Sequence, residues 1–220
     1  MAIKKLTIEE FLALAKEFPV LDVRSPGEYN HAHIPGAYSL PLFTDEERKV
    51  VGTMYKQQSR EAAIKIGLDY FGVKMKKMVE EAESITANHK LQTSNLKHET
   101  SNTVLVHCWR GGMRSAGVAW LLDLYGFKVY TLVGGYKAYR KWALAQFEQE
   151  YNFQIIGGFT GSGKTEVLQA LPGAGHTIIN LEALASHKGS AFGAIEGKPQ
   201  PKQEMFENLL AHALDRKSVV

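Results

Sequence analysis

Apolar residues recur at helical spacing from Ile8 to Lys16 and then give way to Val20-Leu21-Asp22-Val23, which predicts a short amphipathic helix followed by a strand. Ser25-Pro26-Gly27 and His33-Ile34-Pro35-Gly36-Ala37 are turn strings, and Tyr38 to Leu42 can pair as another short strand. Charged amphipathic stretches predict helices over Asp45–Tyr55 and Arg60–Ala82, whereas the polar run Ser84–Asn102 predicts a surface loop. Thr103-Val104-Leu105-Val106 is continuous and rich in β-branched residues, as a buried parallel strand requires, and it ends at His107-Cys108. Val118, Ala119, Leu121 and Leu122 then mark a helix from Ser115 to Tyr125, with Gly126 where a helix C-cap belongs. A strand over Val129–Val133, a Gly134-Gly135 turn and a helix over Tyr136–Glu150 close a first domain, predicted at 1–148.

A second α/β unit, predicted at 149–220, starts with an apolar strand over Phe153–Gly157 that runs into Gly158-Phe-Thr-Gly-Ser-Gly163-Lys164-Thr165 and a helix to Leu171. His176–Asn180 predicts its next strand, Lys188–Pro201 a loop, and Gln203–Arg216 an amphipathic helix. Only about 70 residues belong to this unit, against roughly 100–150 for a typical domain, so it reads as an incomplete P-loop NTPase-like fold.

Composition narrows the class. Forty-five per cent hydrophobic and 22% charged residues describe a chain able to bury a core, which sets aside collagens, coiled coils and disordered tails. The formal net charge of +3 is too small to mark a nucleic-acid binder by itself. Charges split as 20 basic and 17 acidic before residue 151 and 6 of each after it, so the excess lies in the first domain. One cysteine leaves no intramolecular disulfide, as expected of a reducing compartment, and neither a leader nor a membrane span is expected, so the predicted location is cytoplasmic.

That cysteine lies in His107-Cys108-Trp109-Arg110-Gly111-Gly112-Met113-Arg114-Ser115, between a buried strand and a helix N-terminus. Converging backbone N–H groups, the helix dipole and the guanidinium groups of Arg110 and Arg114 are expected to stabilise negative charge there. Cys108 is thus a candidate nucleophile, and Gly111 and Gly112 belong to a cradle for a tetrahedral anion. His107 is given no catalytic role. The pattern His-Cys-x-x-Gly-x-x-Arg-Ser also satisfies the signature of cysteine-dependent phosphatases, although Trp109–Met113 supplies no carboxylate as general acid.

Residues 158–165 match G-x-x-x-x-G-K-[ST] at each specified position, after a predicted strand and before a predicted helix. Gly158, Gly161, Ser162 and Gly163 would wrap a diphosphate, Lys164 would reach its outer oxygens and Thr165 is suited to holding magnesium. Hydrolysis does not follow, because Asn180 stands where a second acidic residue would be sought and Glu182 lies two residues on. No tightly bound cofactor and no metal-ligand set is predicted; magnesium or a nucleotide at the P-loop stays open.

Leu21-Asp-Val-Arg-Ser-Pro-Gly-Glu-Tyr29, His33-Ile-Pro-Gly-Ala37, the strand ending at Cys108 and Val133-Gly-Gly135 before a helix containing Trp142 resemble the rhodanese family over about residues 6–147. The resemblance implies a rhodanese-like parallel sheet with flanking helices. Ordinary rhodaneses carry a persulfide on a shorter loop; the Cys-x5-Arg spacing here suits a phosphate-sized group better. A rhodanese-like domain with Cys-Trp-Arg-Gly-Gly-Met-Arg-Ser, joined to a P-loop, resembles the tRNA 2-selenouridine synthase family. Further strings carry that resemblance: Glu46-Glu-Arg48 with Val51–Lys56, Gly134–Arg140, His187–Gly193, Gln200–Gln203 and Phe206-Glu-Asn208.

What this resemblance implies is replacement of sulfur by selenium in wobble 2-thiouridine of tRNA, with selenophosphate as donor and an S-geranyl-2-thiouridine intermediate made from geranyl diphosphate. Cys108, Arg114 and Arg110 would handle selenophosphate. The P-loop would hold the diphosphate of the geranyl donor or of a nucleotide. Lys74, Lys76, Lys77, Lys137, Arg140, Lys141 and Lys188 are candidate tRNA phosphate contacts, none of them a site by itself. Tyr136 and Tyr139 are considered for base stacking, with core packing preferred. The alternatives are a rhodanese-fold cysteine phosphatase or sulfurtransferase, and an inactive fragment that binds tRNA or a diphosphate.

Overall fold

The computed structural model describes residues 3–92, 102–159, 161–174, 178–187 and 199–215. Two compact units divide the chain, 1–140 and 141–220.

The first unit runs β1 (Lys4–Leu6), α1 (Ile8–Leu14), β2 (Val20–Asp22), α2 (Pro26–His31), β3 (Tyr38–Ser39), α3 (Asp45–Gln57), α4 (Arg60–Gly72), α5 (Met75–Gln92), β4 (Thr103–His107), α6 (Met113–Tyr125) and β5 (Lys128–Leu132). A further helix, α7 (Gly135–Gln146), crosses into the second unit. The five strands form one parallel sheet in the order β1-β5-β4-β2-β3. Leu21 lies opposite Val106 and Leu105 opposite Tyr130, so β4 is central and buried along its whole length. After β2 the chain moves outward to β3, and after β4 it moves outward the other way to β5. The strand order therefore reverses between β2 and β4, and the crevice beyond their carboxyl ends is where open α/β sheets bind ligands. Cys108 is the first residue past β4.

Local chemistry sets the helix boundaries. Thr44 and Glu47 form a capping box on α3, the Thr44 N–H donating to Glu47 Oε2 at 2.8 Å and the Glu47 N–H to Thr44 Oγ1 at 3.2 Å. Ser59 Oγ accepts from the Ala62 N–H at 3.1 Å and starts α4. Gly126 ends α6 in the left-handed region, as its position in the sequence predicts. Packed on α6, β4 and β5, the core includes Leu21, Leu40, Val104, Val106, Val118 and Leu122.

Several expected elements differ. The stretch expected as one helix to Ala82 and then a loop is two helices: the chain turns at Gly72–Lys74, and α5 continues through Gln92. The turn lets Phe71 and Met78, Val79 and Ala82 reach the same core. The polar run stays helical because Thr86 is buried and its hydroxyl donates to the Ala82 carbonyl at 2.7 Å, with Ile85 against the core. The rest of that predicted loop, 93–101, lies outside the described residues. The expected turn at Ser25–Gly27 opens α2, with Pro26 at its first position, and β1 was not expected, its pattern being two exposed lysines and one buried leucine.

In the second unit the glycine-rich loop leads into α8 (Lys164–Ala170), followed by a 3-10 turn at Leu171–Ala174, α9 (Leu181–Ala185) and α10 (Gln203–Asp215). The strand expected at Phe153–Gly157 is not formed: among the described residues of this unit no segment pairs with it, and Ile155 and Phe159 are 91% and 92% exposed. Of the expected strand at His176–Asn180, residues 178–180 are irregular, and Asn180 caps α9 instead, its Oδ1 accepting from the Ala183 N–H at 2.9 Å. Residues 176–177, most of the predicted loop (188–198) and Arg216 lie outside the described residues. Asn208, Ala211 and Leu214 form the buried face of α10.

Candidate active site

The loop from Cys108 to Gly112 is held by the first turn of α7. The Tyr136 N–H donates to the Cys108 carbonyl at 2.8 Å and the Lys137 N–H to the Trp109 carbonyl at 3.0 Å. Glycine is required at both contact points. At Gly111 (φ +65°) a Cβ would lie 2.6 Å from the Leu132 carbonyl oxygen, and at Gly135 (φ +58°) 2.3 Å from that of Cys108. Gly112 has open space around it and stands at the N-cap of α6, with its first-turn N–H groups uncapped by any side chain.

Cys108 is buried, and its Sγ lies 3.2 Å from Ser115 Oγ, whose hydroxyl also reaches the Gly112 carbonyl at 3.1 Å. Ser115 has one proton for two acceptors. In the thiol form the S–H donates to Ser115 while Ser115 donates to Gly112; in the thiolate form the hydroxyl can turn to the sulfur. Ser115 was not a candidate from the sequence, although its place directly after Arg114 in the loop signature pointed to it.

The structure brings Arg114 to the loop already engaged. Its Nη1 lies 2.8 Å from Glu28 Oε2 and its Nη2 3.5 Å from Oε1, while Arg48 Nε reaches the same Oε2 at 2.7 Å. Burial alone would raise the Glu28 pKa, but the hydrogen bond and charge of Arg114, the Ser25 N–H and the charge of Arg48 hold it down to about 2. Glu28 therefore stays ionised and fixes two guanidinium groups. Arg110 and Gly111 are exposed on the loop.

Beneath the loop lies a buried polar floor. Arg24 donates to both carboxylate oxygens of Asp22 (2.6–3.0 Å) and to the Ala32 carbonyl (2.7 Å), and its guanidinium stacks 3.8 Å from the Tyr136 ring centre. His107 Nε2 is 3.6 Å from Asp22 Oδ2; burial lowers the His107 pKa despite that carboxylate, leaving a neutral imidazole. This network joins the ends of β2 and β4 to α7, so its role is to position the loop.

The glycine-rich loop of the second unit is a compact turn. The Ser162 N–H donates to the Phe159 carbonyl at 3.2 Å, and Gly161 and Gly163 have positive φ. Lys164 Nζ folds back to donate to the carbonyls of Gly158 and Phe159, both at 2.8 Å. Thr165, at the second position of α8, is exposed, and Thr160 lies outside the described residues. Lys164 and Thr165 thus follow the glycine turn directly, with the ammonium bonded to the loop's own carbonyls.

Of the candidate tRNA contacts, Lys74 pairs with Glu47, Lys76 with Glu80 at 3.6 Å and Lys77 with Glu81 at 3.5 Å. Lys188 lies outside the described residues. Tyr136 and Tyr139 are fully buried and belong to the core.

Comparison with known proteins gives this arrangement a family. The rhodanese-like domain family matches residues 7–141, and the tRNA 2-selenouridine synthase AAA domain matches residues 151–219. A protein of Nitrosomonas europaea named tRNA 2-selenouridine synthase is 39% identical over 209 residues, 93% of this chain and 51% of that protein. One of the same name from Bdellovibrio bacteriovorus is 38% identical over 220 residues, 97% of this chain and 54% of that protein. The chain spans about half the length of the curated relatives it matches. Among solved structures, the N-terminal domain of a putative ATP/GTP binding protein from Clostridium difficile 630 superposes with a TM-score of 0.55 at 37% identity, covering 65% of this chain and 99% of that one. With a rhodanese-like domain over most of its first unit, the chain belongs to the rhodanese-like domain family, and the segment that follows matches the tRNA 2-selenouridine synthase AAA domain.

Proposed function

We propose that this chain carries out tRNA 2-selenouridine synthesis, exchanging the sulfur of wobble 2-thiouridine for selenium from selenophosphate through an S-geranyl intermediate made with geranyl diphosphate. The observation that carries this reading is a lone cysteine in a phosphate-sized, glycine-locked loop between a buried strand and a helix N-terminus, in a chain whose following segment matches the synthase AAA domain. In the geranylation step the thiocarbonyl sulfur attacks the first carbon of geranyl diphosphate, diphosphate leaves, held by Gly158–Thr165, and the ring N–H proton is released to solvent. In the selenium step the Cys108 thiolate attacks the phosphorus of selenophosphate, the P–Se bond breaks and hydroselenide departs. Hydroselenide adds at C2 of the S-geranyl base, gives its proton to the ring nitrogen and expels geranylthiolate. Water then cleaves the S–P bond, returning phosphate and the cysteine. Arg110 and Arg114 bind the phosphoryl oxygens, and the cytoplasm is the proposed setting.

Nucleoside mass spectrometry of 2-thiouridine tRNA, with each donor omitted in turn, tests the reading. Selenouridine that requires selenophosphate is expected; no selenouridine or geranyl-thiouridine from a folded chain contradicts it. The Cys-x5-Arg spacing also favours a second reading, a phosphatase. The carboxylate that reaches Arg114, Glu28, is held ionised by two arginines and so is no general acid. Rapid turnover of an aryl phosphate would reverse this order.

A further inference from the structure

A cavity of about 940 Å³ opens beside Cys108, between the α3–α4 pair on one side and α6 with the cysteine loop on the other. That is near the upper end of small-molecule sites, roughly 300–1,000 Å³. Its walls are hydrocarbon: Val51, Ile64, Leu68, Phe71, Met113 and Trp120 among them. Leu68 and Trp120 are 59% and 51% exposed, so apolar surface faces this space without a partner in the fold. The charge of the lining is basic. Arg48, Lys49, Lys56, Arg110 and Arg114 border the cavity and, among the described residues, no carboxylate lines it; Glu28, behind the border, pairs with Arg48 and Arg114, so Lys49, Lys56 and Arg110 carry the excess charge.

Apolar walls with a cationic border fit an amphiphile that has a hydrocarbon chain and an anionic end. Because Cys108 and Gly112 line the same cavity, the anionic end and the reacting atoms belong at the cysteine loop. Resting on the function proposed above, we infer that this cavity receives the isoprenyl chain of the S-alkylated thionucleotide, placing its C–S bond at the mouth of the Cys108 loop. Burying the chain favours the alkylated over the unalkylated nucleotide in proportion to the apolar area covered. It also assigns α3 and α4 a role: they wall the substrate's leaving group, and the first unit recognises the product of the alkylation step without help from the P-loop.

The test is calorimetric binding of S-geranyl-2-thiouridine 5′-monophosphate and 2-thiouridine 5′-monophosphate to the full 220-residue chain, with tryptophan emission followed in parallel. The geranyl nucleotide should bind roughly tenfold or more tightly than the unalkylated one and alter the emission of Trp109 and Trp120, which line the cavity. Leu68→Asp should remove that preference; Val73→Asp, at a more exposed apolar position outside the cavity, should retain it. Trp120→Leu should weaken the preference as well, and circular dichroism checks that each variant is folded. Equal affinity for the two nucleotides, or a preference unchanged in folded Leu68→Asp and Trp120→Leu, overturns the assignment. Chain-dependent binding without selenouridine formation would contradict the proposed function and leave the cavity assignment standing.

Discussion

Arg114 closes the cysteine loop with its guanidinium on Glu28, at 2.8 and 3.5 Å, across 86 residues of sequence. The carboxylate comes from α2, the helix that follows β2, so the two strands flanking the strand-order reversal each send one member of the pair. Glu28→Gln keeps the shape and removes the charge. It should weaken selenophosphate use mainly through KM, by about tenfold, as the arginine loses a charge-assisted partner worth roughly 1.5 kcal/mol or more. Steady-state kinetics with selenophosphate varied would show it.

Glu28 also sets an acid limb of stability. Its folded pKa of about 2 lies below its ordinary value of 4.5, so the folded state resists protonation. The contribution is therefore complete above 4.5 and lost as pH falls through about 2. Thermal melts between pH 2 and 7 should show Glu28→Gln destabilised at pH 7 and converging on the parent chain at the acid end. Parallel curves across that range would refute the role given to this residue.

Gly135 and Gly112 separate strain from space. A Cβ at Gly135 meets backbone at 2.3 Å, whereas one at Gly112 meets nothing within 4 Å. Gly135→Ala is expected to cost about 1–3 kcal/mol or more, lowering Tm and displacing the cysteine loop, while Gly112→Ala costs less than about 1 kcal/mol. Denaturant unfolding of the two variants is the check.

Ser115 reaches the cysteine sulfur from α6. Ser115→Ala should leave the fold intact and slow both iodoacetamide alkylation at pH 7 and selenium transfer, the latter about 10- to 100-fold, the loss of one hydrogen bond to a charged group.

Much of this was legible where the cause is local. The β4 run and its stop at Cys108, the glycine pair where α7 begins and the Gly126 cap are each settled by neighbours in sequence. What distance decides was not legible. The Ser84–Gln92 stretch looks polar, yet Thr86 satisfies its own hydroxyl on Ala82 and is buried by core residues remote in sequence. Glu28 resembles an ordinary helix-start carboxylate, and only the fold shows which arginines it meets. The apolar faces of α3 and α4 read as simple amphipathic helices; that part of those faces borders a cavity depends on where α6 lies. In the second unit Phe153–Gly157 has the composition of a strand but, among the described residues, no neighbour to pair with.

The central claim is that Cys108 is the nucleophile of selenium transfer and that the P-loop serves a different step. The most direct measurement is nucleoside mass spectrometry of S-geranyl-2-thiouridine tRNA incubated with selenophosphate and either the parent chain, Cys108→Ala or Lys164→Ala. Selenouridine from the parent and from Lys164→Ala, with none from Cys108→Ala, is the expected result. Selenouridine at the parent rate from Cys108→Ala would contradict the account.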